Sequence, residues 1–256
     1  MISHCFDVII PTYNREKSIE NCLESVLNQT YNNYNIIVID DGSADNTNKI
    51  IKNYKNKNIK YIYQDNSGPA AARNNGILNS ESDYIAFLDS DDRWDKDKLK
   101  VTNQLINNNE ASFFIYTNFQ IYKNKQLYKY AKCKSINGYG YVELLKYCFI
   151  ATSSVVVKRE CFNVCGLFNE KYIGCEDWDM WLRISKKYKI NHIKEALTYY
   201  TIDSEDSIAI SDKTKKGKKE IIDMHLNSGD LTIRTKKIIK SYQYYCNGRL
   251  EFSDKN

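Results

Sequence analysis

The stretch Phe87-Leu88-Asp89-Ser90-Asp91-Asp92 sets three carboxylates within four positions, directly after an apolar run. A strand from Asp83 to Leu88 would end just before them. Asp89 and Asp91 would then lie on a loop beyond the carboxyl ends of the strands, where an open α/β sheet presents its ligand crevice. Crowded carboxylates repel one another unless a cation or a donor-rich ligand offsets the cost. Hard oxygen donors select Mg²⁺ or Mn²⁺, held together with a substrate's phosphates. The run therefore reads as a metal-diphosphate site, weighed against the simpler alternative that Asp91, Asp92 and Asp95 cap the next helix.

Upstream, the chain alternates strand, loop and helix. Phe6-Asp7-Val8-Ile9-Ile10-Pro11 is an apolar run halted by proline, and Ile19, Cys22, Leu23, Val26 and Leu27 then follow one helical face. Asn35 to Ile39 is a second strand ending in Asp40-Asp41-Gly42-Ser43, followed by a helix over Asp45 to Tyr54. Ile59 to Tyr63 is a third strand, and Ser67-Gly68-Pro69 opens a third helix, with proline tolerated in its first turn. Four such strands joined by short helices predict parallel pairing through right-handed crossovers.

Downstream, Arg93-Trp94 reads as a break and the pattern becomes mixed. Helices are expected over Asp95 to Asn107, Tyr141 to Tyr147 and Glu176 to Lys187. Strands are expected over Ser112 to Tyr122, Gln126 to Tyr130, Ser153 to Val157 and Ile190 to Tyr200. The fold class is α/β, with a mostly parallel, Rossmann-like central sheet flanked by helices. No Pro- or Gly-rich linker divides residues 1–212, which read as one composite domain of two halves, 1–95 and 96–212. A Lys-rich helical extension over 213–256 follows.

With 256 residues, 42% of them hydrophobic, the chain can bury a sizeable core. No run approaches the roughly 18 apolar residues of a membrane span, and the first residues lack the basic and apolar regions of a signal peptide, so a cytoplasmic location is expected. Eight cysteines without a Cys-x-x-Cys point to reduced, structural thiols. The balance of 37 basic against 32 acidic residues is too mild to argue for a nucleic-acid partner. The basic residues crowd into Lys213 to Lys219 and Lys236 to Lys240, as a solvated face or a contact to an anionic membrane surface.

Three loops, each after a strand, carry polar residues able to converge at one sheet edge: Pro11-Thr12-Tyr13-Asn14, Asp40-Asp41-Gly42-Ser43 and Asp89-Ser90-Asp91. Arg73 adds a permanent cation one turn into a helix, where a guanidinium can grip phosphate. A nucleotide diphosphate fits all four. Separately, each has a plain structural explanation as strand stop, turn, cap or exposed helix residue; their order and spacing together are what point to a site.

With Glu176-Asp177-Trp178-Asp179 added, the sequence resembles the family-2 glycosyltransferases of GT-A fold over about residues 6 to 210. The resemblance implies that Pro11, Thr12, Tyr13 and Asp41 hold the base and ribose, Asp89 the ribose and Arg73 the diphosphate. Asn66 and Ser90 would complete the nucleotide-sugar pocket, and Asp91 would bind Mn²⁺ or Mg²⁺. Glu176 and Asp177 would be the catalytic acid pair, with Asp177 favoured as base, and residues 96–212 the acceptor-binding half. Trp178 is either a platform for an acceptor sugar or a core residue. Many members carry a Tyr-Arg-x-His-like segment where this chain reads Tyr200-Thr201-Ile202-Asp203, so either Asp203 replaces the metal-binding histidine or that ligand is absent.

The resemblance implies an inverting, metal-dependent hexosyltransferase. It would use a UDP-sugar donor and act on a bacterial surface or lipid-linked glycan, either free in the cytoplasm or as a peripheral protein on the cytoplasmic face of the membrane. The competing readings are a sugar-nucleotide nucleotidyltransferase, disfavoured because Pro11-Thr12-Tyr13-Asn14 lacks glycine, and a non-catalytic nucleotide- or glycan-binding module, which would not need the acid pair.

Overall fold

Seven consecutive buried residues form β1 (Phe6–Thr12). The computed structural model describes residues 2–54, 56, 58–108, 112–202 and 211–253, with side chains up to Gln243 in the last helix. The first half continues with α1 (Ile19–Leu27), β2 (Tyr34–Asp40), α2 (Thr47–Asn53), β3 (Ile59–Tyr63), α3 (Pro69–Leu78) and β4 (Tyr84–Phe87). Here β3, β2, β1 and β4 lie side by side, all parallel. Thr12 pairs with Asp40 and Ile9 with Phe87, so the loops after β1, β2 and β4 leave the same edge.

Alternate residues of β1 point to opposite faces, and both faces are covered. Phe6, Val8 and Ile10 pack with Cys22, Leu23 and Val26 of α1 on one side. Ile9, Ile85 and Phe87 pack with Ile77 of α3 on the other. Burial on both faces is why this strand is a continuous apolar run rather than an alternating one. Helix α3 lies close against it: a Cβ at Gly76 would come within 2.5 Å of Ile9 Cγ2, so glycine permits the approach that seats Arg73 beneath the sheet edge.

The second half comprises β5 (Arg93–Trp94), α4 (Lys98–Asn108), β6 (Phe114–Lys123), β7 (Gln126–Ala131), α5 (Tyr141–Lys146), a 3-10 turn at Thr152–Ser154, β8 (Val155–Lys158), α6 (Glu160–Cys165), α7 (Glu176–Lys187) and β9 (Ile190–Ile202). Strand β8 enters antiparallel between β4 and β6, and β9 runs parallel to β6. The described residues form one nine-stranded sheet, parallel in the first half and mixed beyond it. Leu99 and Ile106 of α4 join the α1 face, and Trp181 and Ile184 of α7 the α3 face.

Three expectations need correction. Arg93-Trp94 is not a break: it is β5, antiparallel to Thr198–Tyr199 of β9, a pairing across about a hundred residues that no local pattern shows. Ser153 belongs to the 3-10 turn rather than to a strand. Helix α4 starts at Lys98, because the Asp95 carboxylate accepts from Asp97 N–H and its carbonyl from Lys98 N–H, folding residues 95–97 into a turn. The six-residue α6 is too short for periodicity to reveal.

The Lys-rich extension forms α8 (Asp212–Asn227) and α9 (Ile233–Ser253). Ile221, Ile222, Leu226 and Ile239 join the cluster around Trp181. Tyr141 Oη and His225 Nδ1 lie 2.8 Å apart. Gly217 lets α8 approach the loop before α7, since a Cβ there would meet Cys175 Sγ at 2.8 Å.

Candidate active site

The first two loops are laced together. Asn14, held at φ 50°, donates its N–H to Ser43 Oγ (3.0 Å) and accepts from Ala44 N–H (2.9 Å). Arg15 N–H donates to Thr47 Oγ1 at 2.8 Å and Glu16 N–H to Asp45 Oδ2 at 3.0 Å. Asp40 accepts from Tyr61 Oη–H and Ser43 N–H. Asp41 accepts from Gln64 Nε2 (2.7 Å), Ser67 N–H (2.9 Å) and Gly68 N–H (2.8 Å). Buried and held by three donors, Asp41 tethers the loop that starts α3. Pro11 and Thr12 are buried, while Tyr13 and Asn66 are exposed.

The acidic loop after β4 is anchored at two points. Ser153 Oγ accepts from Asp89 N–H (3.0 Å) and donates to Asp92 Oδ2 (2.5 Å). Asp92 Oδ1 accepts from Thr201 N–H at 2.8 Å, tying the loop to the end of β9. Burial, then the charges of Asp91 and Asp89, push the Asp92 carboxyl well above the usual carboxylate range. Asp91 instead presents its carboxylate at 38% exposure, 3.6 Å from Arg15 Nη2. Ser90 is buried.

Arg73 brings the loop and the acid pair together. Its Nη2 donates to Asp89 Oδ1 at 2.8 Å and its Nη1 to Glu176 Oε1 at 2.7 Å. Burial disfavours its charge, but Asp89 and Glu176 outweigh burial and raise its pKa. Both Nη atoms of this buried residue are engaged with carboxylates, while its buried Nε has no hydrogen-bond partner. Arg73 thus bridges the acidic loop and the start of α7.

Glu176 and Asp177 begin α7, where the helix dipole favours carboxylates. Asp177 Oδ1 accepts from Trp178 N–H (2.7 Å) and Oδ2 from Thr152 Oγ1–H (3.1 Å). Burial, then the Glu176 charge, push its carboxyl up to about 6, against the opposing pull of Arg73. A carboxylate titrating there is suited to accept a proton near neutrality. Of the two alternatives for Trp178 the structure takes the core one: it is 4% exposed and its indole N–H donates to Leu144 O, leaving no ring face open to a sugar. Asp203 lies outside the described residues.

Sequence reasoning missed Thr152, Ser153, Asp92 and Tyr200. Asp92 and Tyr200 stood beside or within quoted motifs. Burial, then the charges of Asp92, Asp89, Asp91 and Asp177, raise the Tyr200 phenol's pKa, which places that phenol near the acids. Thr152 and Ser153 carried no local signal. His192 is a packing residue, stacked on Tyr116 with Nε2 3.0 Å from Asn118 Oδ1.

Residues 7–162 match the model of "Glycosyl transferase family 2". The chain belongs to this family. Relatives within it include an uncharacterized glycosyltransferase of Rickettsia felis, 37% identical over 195 residues, which are 75% of this chain and 32% of the relative. Another is the Escherichia coli UDP-Glc:alpha-D-GlcNAc-diphosphoundecaprenol beta-1,3-glucosyltransferase WfaP, 38% identical over 200 residues, 76% of each chain. The Rickettsia relatives are longer proteins, of which this family-2 chain spans about a third. Its fold is the GT-A fold. Staphylococcus aureus TarS 1–349 in complex with UDP-GlcNAc superposes with a TM-score of 0.77 at 23% identity, over 92% of this chain and 70% of that one. A Pyrobaculum calidifontis mannosyltransferase with GDP-Man and Mn²⁺ superposes with a TM-score of 0.72 at 16% identity, over 95% and 70%.

Proposed function

We propose that this family-2 chain moves one sugar from a UDP-sugar to a hydroxyl of a lipid-linked or surface glycan, with inversion at the anomeric carbon. The observation that carries the reading is Asp177: a carboxylate poised near neutrality, joined through Glu176 and Arg73 to the acidic loop at the sheet edge. Uracil and ribose lie against Pro11, Thr12, Tyr13 and Asn66, with Asp89 and Ser90 at the ribose. Asp177 accepts the proton of the acceptor hydroxyl as its oxygen attacks the anomeric carbon and the bond to the diphosphate breaks, releasing UDP. Glu176, paired with Arg73, holds the loop. WfaP is named for a UDP-Glc donor and a diphosphoundecaprenol-linked acceptor, and the TarS complex holds UDP-GlcNAc; both favour this substrate class.

A divalent cation fits the donor set. Among the described residues no three His, Cys, Asp or Glu form a metal cluster, but Asp91, the more exposed of two partly exposed carboxylates, stands at the loop. Mg²⁺ or Mn²⁺ beside a nucleotide typically takes one or two carboxylates and completes its shell with phosphates and water. When bound, it would neutralise charge on the departing diphosphate. The Mn²⁺ of the Pyrobaculum mannosyltransferase complex accords with this.

No helix among the described residues is long and apolar enough to cross a membrane. Helix α9 nonetheless turns Arg234, Lys237 and Lys240 outward together with Ile233, 76% exposed, and Ile238, 48% exposed. A basic face with exposed apolar residues suits an anionic bilayer, where a lipid-linked acceptor would sit. The decisive experiment is UDP release across a panel of UDP-sugars with a diphosphoprenol-linked GlcNAc acceptor, and NMR assignment of the product anomer. One donor giving an inverted product supports the proposal; no transfer from any donor, or retention of configuration, overturns it.

A further inference from the structure

The turn Thr152–Ser154 contacts both halves of the candidate site. Ser153 Oγ holds Asp89 N–H and Asp92 Oδ2 of the acidic loop. Its carbonyl accepts from Trp94 Nε1 at 2.7 Å and Thr198 Oγ1 at 3.3 Å. The next carbonyl, Ser154 O, accepts from Lys98 Nζ at 2.7 Å, and Ser154 Oγ donates to Ala151 O at 2.7 Å. All three turn residues are buried. Such a set of buried, satisfied hydrogen bonds rigidifies the backbone it holds. Thr152, 6% exposed, has its hydroxyl 3.1 Å from Asp177 Oδ2 and is the one side-chain donor to that carboxylate among the described residues.

We propose that Thr152 is a positioning residue: it fixes Asp177 Oδ2, and because Ser153 beside it grips the acidic loop, the turn sets the distance and angle between the base and the nucleotide-sugar. The inference rests on the transferase reading above and adds the element that aligns its two parts. The physical need is clear, since displacing a reacting group by about 1 Å costs on the order of 100-fold in rate. Asp177's other oxygen is held only by the N–H of Trp178, the next residue, which leaves rotation of the carboxylate to be settled by Thr152. A hydroxyl donor also favours the charged carboxylate. It works with Arg73 and against burial and Glu176. Tyr200 on β9, Cys148 after α5 and Cys175 before α7 also sense the Asp177 charge, and none is hydrogen-bonded to it.

The test compares wild type, Thr152→Val and Thr152→Ser. Removing one hydrogen bond to the charged form should raise the Asp177 pKa by about half to one unit, read by NMR titration of ¹³C-labelled aspartate carboxyls with Asp177→Asn for assignment. The acid limb of kcat/KM with UDP-glucose and a diphosphoprenol-linked GlcNAc acceptor should move by the same amount. In Thr152→Val, kcat should fall about 10- to 100-fold with little change in UDP affinity by calorimetry. Thr152→Ser should restore the titration and the rate. An unmoved Asp177 titration and pH profile in a folded Thr152→Val variant overturns the proposal, as does failure of serine to rescue. If wild type turns over no UDP-sugar, the transferase reading fails by itself, while the carboxyl titration still decides whether Thr152 governs Asp177.

Discussion

Arg73 and Glu176 stand 103 positions apart and meet at 2.7 Å with both side chains almost fully buried. The guanidinium also holds Asp89, so one cation joins the acidic loop to the helix bearing the candidate base. Breaking a buried pair by removing one partner strands the other charge, which typically costs about 3–5 kcal/mol. Arg73→Met should therefore lower stability by roughly that amount, seen in urea denaturation. Adding Glu176→Gln should recover part of the loss, because the stranded charge is gone. Strictly additive losses would show that the two residues do not depend on each other.

Asp177→Asn should reduce kcat by about 10²–10⁴-fold while UDP affinity persists, since an amide cannot accept the acceptor's proton. In wild type the carboxylate form is the active one and its pKa is pushed up to about 6, so the rate should fall as pH drops through about 6 and level off above it. A folded Asp177→Asn variant with near-normal kcat would assign the base elsewhere.

Excess chelator should abolish turnover, and Mn²⁺ or Mg²⁺ should restore it. Asp91→Asn should raise the metal concentration needed for half-maximal rate, because the negative charge that would touch the cation is lost. Full turnover in chelator removes the metal from the mechanism.

Lys98 is fully buried, its ammonium donating to Ser154 O and Thr117 Oγ1, and burial lowers its pKa from 10.5 to about 7. Between those two values the unfolded chain binds more protons than the folded one, so on this residue's account stability rises with pH from about 7 towards 10.5. Below about 7 both states are protonated and the desolvation cost stands in full. Lys98→Met should lack this slope. Thiols such as Cys148 and Cys161, whose pKa values burial raises, pull the other way at high pH in both proteins. The difference between the two urea-midpoint profiles at pH 7, 8 and 9 isolates Lys98, and parallel profiles would contradict its lowered pKa.

Much of the architecture was legible in short windows. The run Phe6 to Thr12 is apolar because both of its faces are covered, and the Ile19 to Leu27 and Glu176 to Lys187 helices show the spacing of their buried faces. The acidic loop stood out because three carboxylates so close together are costly without a purpose. Where strands ended, parallel pairing then put three loops at one edge, as the pattern of strands and helices implied.

Neither the partner of each charge nor the neighbours of each ring were readable in this way. Arg73 was legible as a cation one turn into a helix, but not its partners: α3 packs on β1 through Gly76, and two carboxylates, 16 and 103 residues away, close on it. Trp178 looked able to meet a sugar until α5 covered it. Thr152 and Ser153 are ordinary residues in sequence and gain their roles only because β8 enters the sheet beside β4. Periodicity and turn chemistry act over a few residues, so the sequence by itself determined the strands, the helices and the edge where the loops gather. Hydrogen bonds and ion pairs act over about 3 Å in space, so only the tertiary structure decided which side chains meet there.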